Sequence, residues 1–217
     1  VDIQTTIFII ALSYMIGSLP TAYIAGRLNG LNIFEYGSGN MGATNVIRTL
    51  GLAWGIVVLS IDLGKGIFAV WLARQIAPVE PLSTQASASV IAALAVVVGH
   101  NWSFFASIIT GSIRGGKGAA TAGGTWLILM PAIAIIIPFF ILALVIVTTR
   151  YMSLAVMTSA CVGAVIVAIL VAQNQLEPVY LIYTVLAGMI VYRHRENIQR
   201  LMAGNERRLG ERVETSN

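Results

Sequence analysis

The sequence predicts an all-α polytopic membrane helical bundle with about seven transmembrane or membrane-embedded helices, N-terminus out and C-terminus cytoplasmic. Three observations carry that expectation. Hydrophobic residues make up 57% of the chain and charged ones only 10%, against about 25% charged in an ordinary soluble domain. Ile3–Ala25 and Ala119–Thr149 contain no charge at all, and about 20 apolar residues suffice to cross the hydrocarbon core as a helix. The basic residues also fall on one side of the alternating spans.

Taken in order, the apolar segments are Ile3–Ala25, Leu52–Ala73, Ala86–Ile109, Met152–Ala172 and Val179–Tyr192. The first has no basic leader and is followed by further spans, so it reads as an anchor that is retained, not a secretory signal. Ala119–Thr149 is too long for one ordinary span and carries Pro131 and Pro138. Proline removes a backbone donor and breaks or kinks a helix, so the segment is either one long kinked helix or a hairpin folded at Pro131. Charge favours the hairpin. It puts Arg27, Arg48, Arg114, Lys117, Arg150 and the Arg-rich tail on the cytoplasmic side and leaves only Arg74, near Glu80, outside. No internal repeat or low-complexity linker divides the chain. Residues 1–217 therefore read as one domain, with 193–217 a basic cytoplasmic tail.

Net charge is +4. In a soluble protein that excess would suggest a nucleic-acid partner. Here Arg193, Arg195, Arg200, Arg207, Arg208 and Arg212 concentrate it beside the last span, where basic tails set topology and touch anionic headgroups. No nucleic acid is expected. The single cysteine, Cys161, has no disulfide partner and reads as a small packing residue. With two histidines and one cysteine, no metal and no cofactor are expected.

The polar segments carry the chemistry. Glu35–Arg48 follows the first span, and its glycines 37, 39 and 42 permit left-handed backbone and close ligand approach. Ser38, Gly39, Asn40, Thr44 and Asn45 supply neutral hydrogen-bonding groups ahead of a helix. Such a turn forms an anion nest at a helix N-terminus, and Arg48 adds a fork for phosphate. The bland alternative is an interfacial loop that caps the next helix.

Ser112–Gly118 sets Lys117 after Gly116 at a helix start. Gly118 stands where a nucleotide P-loop needs Ser or Thr, which argues against ATP hydrolysis and leaves a phosphate site or a topogenic loop. Asp62 and Lys65, three apart within the second span, share a face. Asp62 reads foremost as half of a local ion pair that tolerates burial, while Lys65 is open between that role and a functional one. His100 lies at the polar end or middle of the third span. His194 and Asn197 share a face beyond the last span, a pairing suited to hydroxyl or phosphate recognition, whereas the flanking arginines read as a snorkelling belt. Together these segments imply a phosphate-bearing substrate at the cytoplasmic boundary. The rival function is a transporter of an organic phosphate, for which no inverted repeat is visible.

The motifs Gly37–Arg48, Asp62–Gly66, Gly99–His100, Gly115–Thr121 and His194–Leu201 resemble, in order, those of the bacterial acyl-phosphate:glycerol-3-phosphate acyltransferases. The resemblance implies a seven-helix bundle in the bacterial plasma (inner) membrane with its site facing the cytoplasm. It implies transfer of a fatty acyl group from acyl phosphate to the 1-hydroxyl of glycerol 3-phosphate, giving lysophosphatidate and phosphate, the first step of phospholipid biosynthesis. Neither acyl-CoA nor acyl carrier protein is required. By resemblance Ser38, Arg48, Lys117, His194 and Asn197 hold the phosphorylated substrates, with Lys117, Arg48 and His194 the catalytic candidates. One departure stands out: residues 101–114 are longer and more apolar than the family pattern and lack its proline.

Overall fold

The structure is a computed structural model that describes residues 1–78 and 81–211. Glu80, expected beside Arg74, and the end of the basic tail lie outside the described residues. Among those described there are helices and no strand. Five apolar helical stretches are long enough to cross a membrane: Ile3–Leu28, Leu52–Ile76, Ser83–Asn101, Ala132–Thr149 and Met152–Ala172. Two shorter apolar stretches, Ala119–Leu129 and Pro178–Arg193, accompany them.

The first span is not one helix. α1 (Ile3–Ser18) stops at Leu19–Pro20 and α2 (Thr21–Leu28) restarts beyond it, because proline disfavours helical backbone in the residue before it. The glycine-rich loop leads into α3 (Ala43–Leu50) and then α4 (Leu52–Ile76). The third span is shorter than its hydropathy indicates. α5 (Leu82–Asn101) ends at Trp102, and Ser103 caps a separate α6 (Phe104–Thr110) by accepting a hydrogen bond from the Ala106 N–H. His100 therefore stands in the last turn of its helix, not at mid-span.

Pro131 divides the long apolar stretch into α7 (Ala119–Leu129) and α8 (Ala132–Thr149). Pro138 stays inside α8. A proline there strips the Ala134 carbonyl of its helical donor. The Trp126 indole N–H supplies a replacement at 2.8 Å, as an apolar surrounding requires. α9 (Met152–Ala172), α10 (Tyr183–Arg193) and α11 (Arg195–Met202) complete the chain. Cys161 of α9 is exposed on the helix surface, not packed inside as expected.

Two helix pairs owe their close approach to glycine. A Cβ on Gly66 would lie 2.2 Å from the Thr121 carbonyl oxygen, and one on Gly124 2.0 Å from that of Leu63, so α4 and α7 touch backbone to backbone. Gly17 and Gly99 do the same for α1 and α5.

The ends of the bundle differ in charge. Ile9 clusters with Ala73, Ala77, Ala88 and Ala92, which places the start of the chain and Arg74 at one end. At the other, the Arg48 guanidinium reaches the Arg207 carbonyl at 3.5 Å and that of Arg150 reaches the Leu209 carbonyl at 2.8 Å. Lys117 donates to Asn197 there too. The start of α7 and the end of α8 thus both meet the C-terminal segment, which is the hairpin geometry expected from charge.

Candidate active site

The basic end holds a cavity of about 500 Å³. Of the residues singled out from sequence, Ser38, Asn40, Thr44, Asn45, Arg48, Lys117, His194 and Asn197 all line it. Segments more than 150 residues apart in the chain, Ser38 and His194 among them, converge on one space.

The glycine-rich loop is held by Asn45. Its Oδ1 accepts the Ser38 N–H at 2.8 Å, and its Nδ2 donates to the carbonyls of Ile33, Tyr36 and Asn40. Buried and fully engaged, Asn45 shapes the loop from within. Gly37 and Gly39 turn the loop with φ of 60° and 64°, and Asn40 donates to the Ser38 carbonyl at 3.1 Å. The Ser38 and Thr44 side chains remain at the cavity wall. Arg48 lies one helical turn further on. Its pKa is lowered by burial and then by Arg207, although it stays charged at neutral pH.

Lys117 is positioned by a short crossing of backbones. The Gly116 N–H donates to the His100 carbonyl at 2.9 Å, and a Cβ on Gly116 would lie 2.0 Å from His100 Nε2. The Gly116 carbonyl accepts two bonds from Arg193, at 3.1 Å from Nε and 2.7 Å from Nη2. Arg193 also lies over the Trp102 ring at 5.3 Å. With the Gly116 backbone committed, this loop offers the cavity the Lys117 ammonium and the first turn of α7, Gly118 to Ala120, whose N–H groups lack helical partners. Burial brings the Lys117 pKa down to about 8, and the charge of Arg200 adds to the effect.

Beyond α10 a polar chain continues. Lys117 Nζ donates to Asn197 Oδ1, and Asn197 Nδ2 donates to Glu206 Oε1 at 2.7 Å. Ser153 donates to the same oxygen at 3.0 Å, and Arg200 meets Glu206 Oε2 at 2.9 Å. Burial raises the Glu206 pKa, but the bonds from Asn197, Arg200 and Ser153 outweigh it, so the carboxyl is held low and ionised. His194 Nδ1 lies 2.7 Å from the Ile190 carbonyl. Nδ1 must then carry the proton and Nε2 the lone pair. Burial and then Lys117 push its pKa down to about 4, so the imidazole is neutral at pH 7. Arg195, its sequence neighbour, stacks on Tyr192 at 4.9 Å instead.

Asp62 forms part of the cavity floor and is the ion-paired group expected from sequence: Lys65 Nζ lies 2.8 Å from its Oδ1, and Thr21 donates to the same oxygen at 2.6 Å. His100 Nδ1 is 3.8 Å away. Among the described residues, with Asp62 matched by Lys65 and Glu206 by Arg200, the cations left facing the space are Arg48, Lys117 and Arg207. From this polar head an apolar arm runs between α7, α8, α9 and α10, past Trp126, Leu142, Ile146, Val156 and Ala160. One space thus presents cationic side chains at one end and an apolar lining at the other.

Sequence reasoning passed over several members of this site, Arg193, Glu206, Arg207 and Ser153 among them. Arg193 reads as part of a snorkelling belt, yet it holds the Lys117 loop. Glu206 had one available signal, as an acid enclosed by Arg200, Arg207 and Arg208.

Comparison with known proteins identifies the family. A family model described as glycerol-3-phosphate acyltransferase matches residues 7–204. The chain is 40% identical to glycerol-3-phosphate acyltransferase 2 of Moorella thermoacetica, covering 94% of this chain and 97% of the relative. It is 41% identical to the glycerol-3-phosphate acyltransferase of Thermus thermophilus, with 96% and 97% covered. Among solved structures, PlsY (YgiH), an integral membrane glycerol 3-phosphate acyltransferase, superposes in its glycerol 3-phosphate form with a TM-score of 0.82 at 30% identity, covering 94% of this chain and 96% of that one. Its lysophosphatidic acid form gives 0.79 at 30% identity. Family model, relatives and superposition agree along nearly the whole chain, so this protein belongs to the glycerol-3-phosphate acyltransferase family.

Proposed function

We propose that the protein transfers a fatty acyl group from acyl phosphate to the 1-hydroxyl of glycerol 3-phosphate, releasing lysophosphatidate and inorganic phosphate, without acyl-CoA or acyl carrier protein. The observation that carries this reading is the joined cavity, with unmatched cations at its head and an apolar arm among four helices. We place the reaction at the cytoplasmic face of a bacterial plasma membrane, with seven membrane-embedded segments, because the basic end of the bundle belongs inside.

Acyl phosphate is a mixed anhydride and already activated. The substrate hydroxyl oxygen bonds to the acyl carbon, the bond from that carbon to the phosphate oxygen breaks, and phosphate leaves with the electron pair. The site's work is to hold two anions together and neutralise the leaving group. Arg48 and Lys117 are suited to that role. Ser38 and Thr44 serve hydroxyl and phosphate oxygens. Neutral His194 accepts through Nε2 and orients the glycerol hydroxyl; with a pKa of about 4 it is a poor base, so the hydroxyl proton passes to a substrate phosphate oxygen.

The test uses purified protein in detergent, supplied with acyl phosphate plus glycerol 3-phosphate, then with glycerol in place of the phosphate ester, then with acyl-CoA in place of acyl phosphate. Acyl transfer is expected in the first mixture alone, as lysophosphatidate, with no monoacylglycerol formed from glycerol. Formation from acyl-CoA at a similar rate would overturn the donor assignment. Absence of product in all three would favour an organic-phosphate transporter, whose vectorial activity detergent abolishes.

A further inference from the structure

Apart from the catalytic cavity, a second hollow of about 230 Å³ opens at the basic end of the bundle. Its walls are the end of α2, the turn Ile33–Glu35 and the segment after α6. Tyr23 and Phe34 stack at its back, with ring centroids 5.8 Å apart. Arg27 lies 5.2 Å from the Tyr23 ring and Arg114 5.6 Å from the Phe34 ring. Each arginine spends its Nε locally, Arg27 on the Tyr23 hydroxyl at 2.8 Å and Arg114 on Ser112 Oγ at 3.2 Å. Among the described residues their terminal amino groups have no hydrogen-bond partner, and neither arginine forms an ion pair. The acid on the rim, Glu35, is engaged by the Asn32 amide. Among the described residues, two guanidinium groups thus face the hollow with one acid, Glu35, on its rim, which leaves the hollow with a net positive charge.

Their surroundings point to the ligand. Next to the hollow, Leu28 is 70% exposed and Ile113 79% exposed. Such side chains belong against lipid, so the arginines stand where an apolar belt meets headgroups. Guanidinium pairs bind phosphate through parallel N–H bonds, and basic pockets between helices at this level take lipid headgroups.

We propose that Arg27 and Arg114 form a binding site for the phosphate of an anionic membrane lipid, separate from the catalytic cavity. The site adjoins the glycine-rich loop: Phe34 and Glu35 form its wall, and Asn45 ties the neighbouring Ile33 and Tyr36 carbonyls to that loop. Headgroup occupancy therefore stiffens the segment that carries Ser38. The inference does not depend on the acyl donor or on catalysis.

Native mass spectrometry of the detergent-solubilised protein, titrated with phosphatidylglycerol or phosphatidylcholine, tests it. Each arginine should be worth about fivefold in affinity, so the Arg27→Gln/Arg114→Gln variant should bind phosphatidylglycerol about 25-fold more weakly with phosphatidylcholine binding unchanged. Glu35→Gln, which removes the one acid at the hollow, should tighten phosphatidylglycerol binding several-fold, about as much as one unit of charge. Inorganic phosphate at millimolar concentration should not displace the lipid. Unchanged phosphatidylglycerol affinity in the double variant, or no gain in Glu35→Gln should the double variant misfold, would overturn the site. Equal binding of phosphatidylcholine, or displacement by inorganic phosphate, would overturn the lipid assignment.

Discussion

Replacing Lys117 by methionine separates function from stability in a way the structure makes quantitative. The ammonium is buried enough to bring its pKa from 10.5 down to about 8, a difference worth about 3 kcal/mol against the charged folded form. Removing it relieves that penalty. It also leaves the buried Asn197 Oδ1 without a donor, and a buried unsatisfied polar group costs about 1–3 kcal/mol. The two nearly cancel, so the melting temperature should stay within several degrees of wild type. Turnover should not survive. A preorganised charge beside a developing oxyanion is worth at least about 10²-fold in kcat. Lys117→Arg should also be poor, because a planar fork does not replace a point charge held by one amide oxygen.

The sign with pH follows from the lowered value. Between about 8 and 10.5 the unfolded chain holds a proton that the folded one has released, so wild-type stability rises with pH across that window. In Lys117→Met the rise disappears. Steady-state assay of phosphate release with thermal melts at several pH values reads both effects. Activity within tenfold of wild type at an unchanged melting temperature would refute the role assigned to Lys117, and a collapse in melting temperature would refute the energetic argument.

Three further outcomes are expected. His194→Ala should mainly raise KM for glycerol 3-phosphate and leave the pH–rate profile unchanged from about pH 6 to 8; a fall in kcat of about 10²–10⁴-fold with loss of an ionisation would instead make His194 the general base. Arg193→Ala frees the Gly116 carbonyl and should lower kcat/KM by about 10–100-fold, with partial recovery in Arg193→Lys. Its alkaline limb should move up slightly, because Arg193 is among the charges that depress Lys117; an unchanged kcat/KM would mean the loop never depended on Arg193. A cysteine at position 150 in a Cys161→Ala background should resist an impermeant thiol reagent applied outside intact cells, and labelling there would contradict the hairpin at Pro131.

The elements legible in the sequence were those written in single residue types. Charge-free runs mark the long helices, and Pro131 marks the fold of the hairpin. Glycines followed by Asn, Thr or Lys mark both anion loops. Pro20 was as visible as Pro131, but the uninterrupted apolar run on both sides concealed the break between α1 and α2. The end of α5 was hidden in the same way: Phe104–Ile109 is apolar, and only the Ser103 cap separates it from the span before. The site's supporting bonds were harder to see because they join distant segments. Arg193 to Gly116 spans 77 residues and Asn197 to Lys117 spans 80, and neither partner's residue type specifies the other. Burial and then Lys117 keep His194 neutral, and its neighbour Arg193 adds to them; the burial and the approach of Lys117 come from the fold, while Arg193 alone was visible in the sequence. Asn45 was singled out for its amide, and that amide proved to be the brace of its own loop.

The central claim is that acyl transfer takes place in the one cavity that joins a cationic head to an apolar arm. Photocrosslinking with a non-hydrolysable acyl phosphonate carrying a diazirine midway along its chain, followed by peptide mapping, tests it directly. The account predicts adducts on arm-lining residues such as Leu142, Val156 and Ala160, suppressed by excess acyl phosphate and weakened in Arg48→Ala. Adducts confined to the outward faces of the same helices, at Ile136, Phe140 and Val165, and indifferent to competitor, would contradict it.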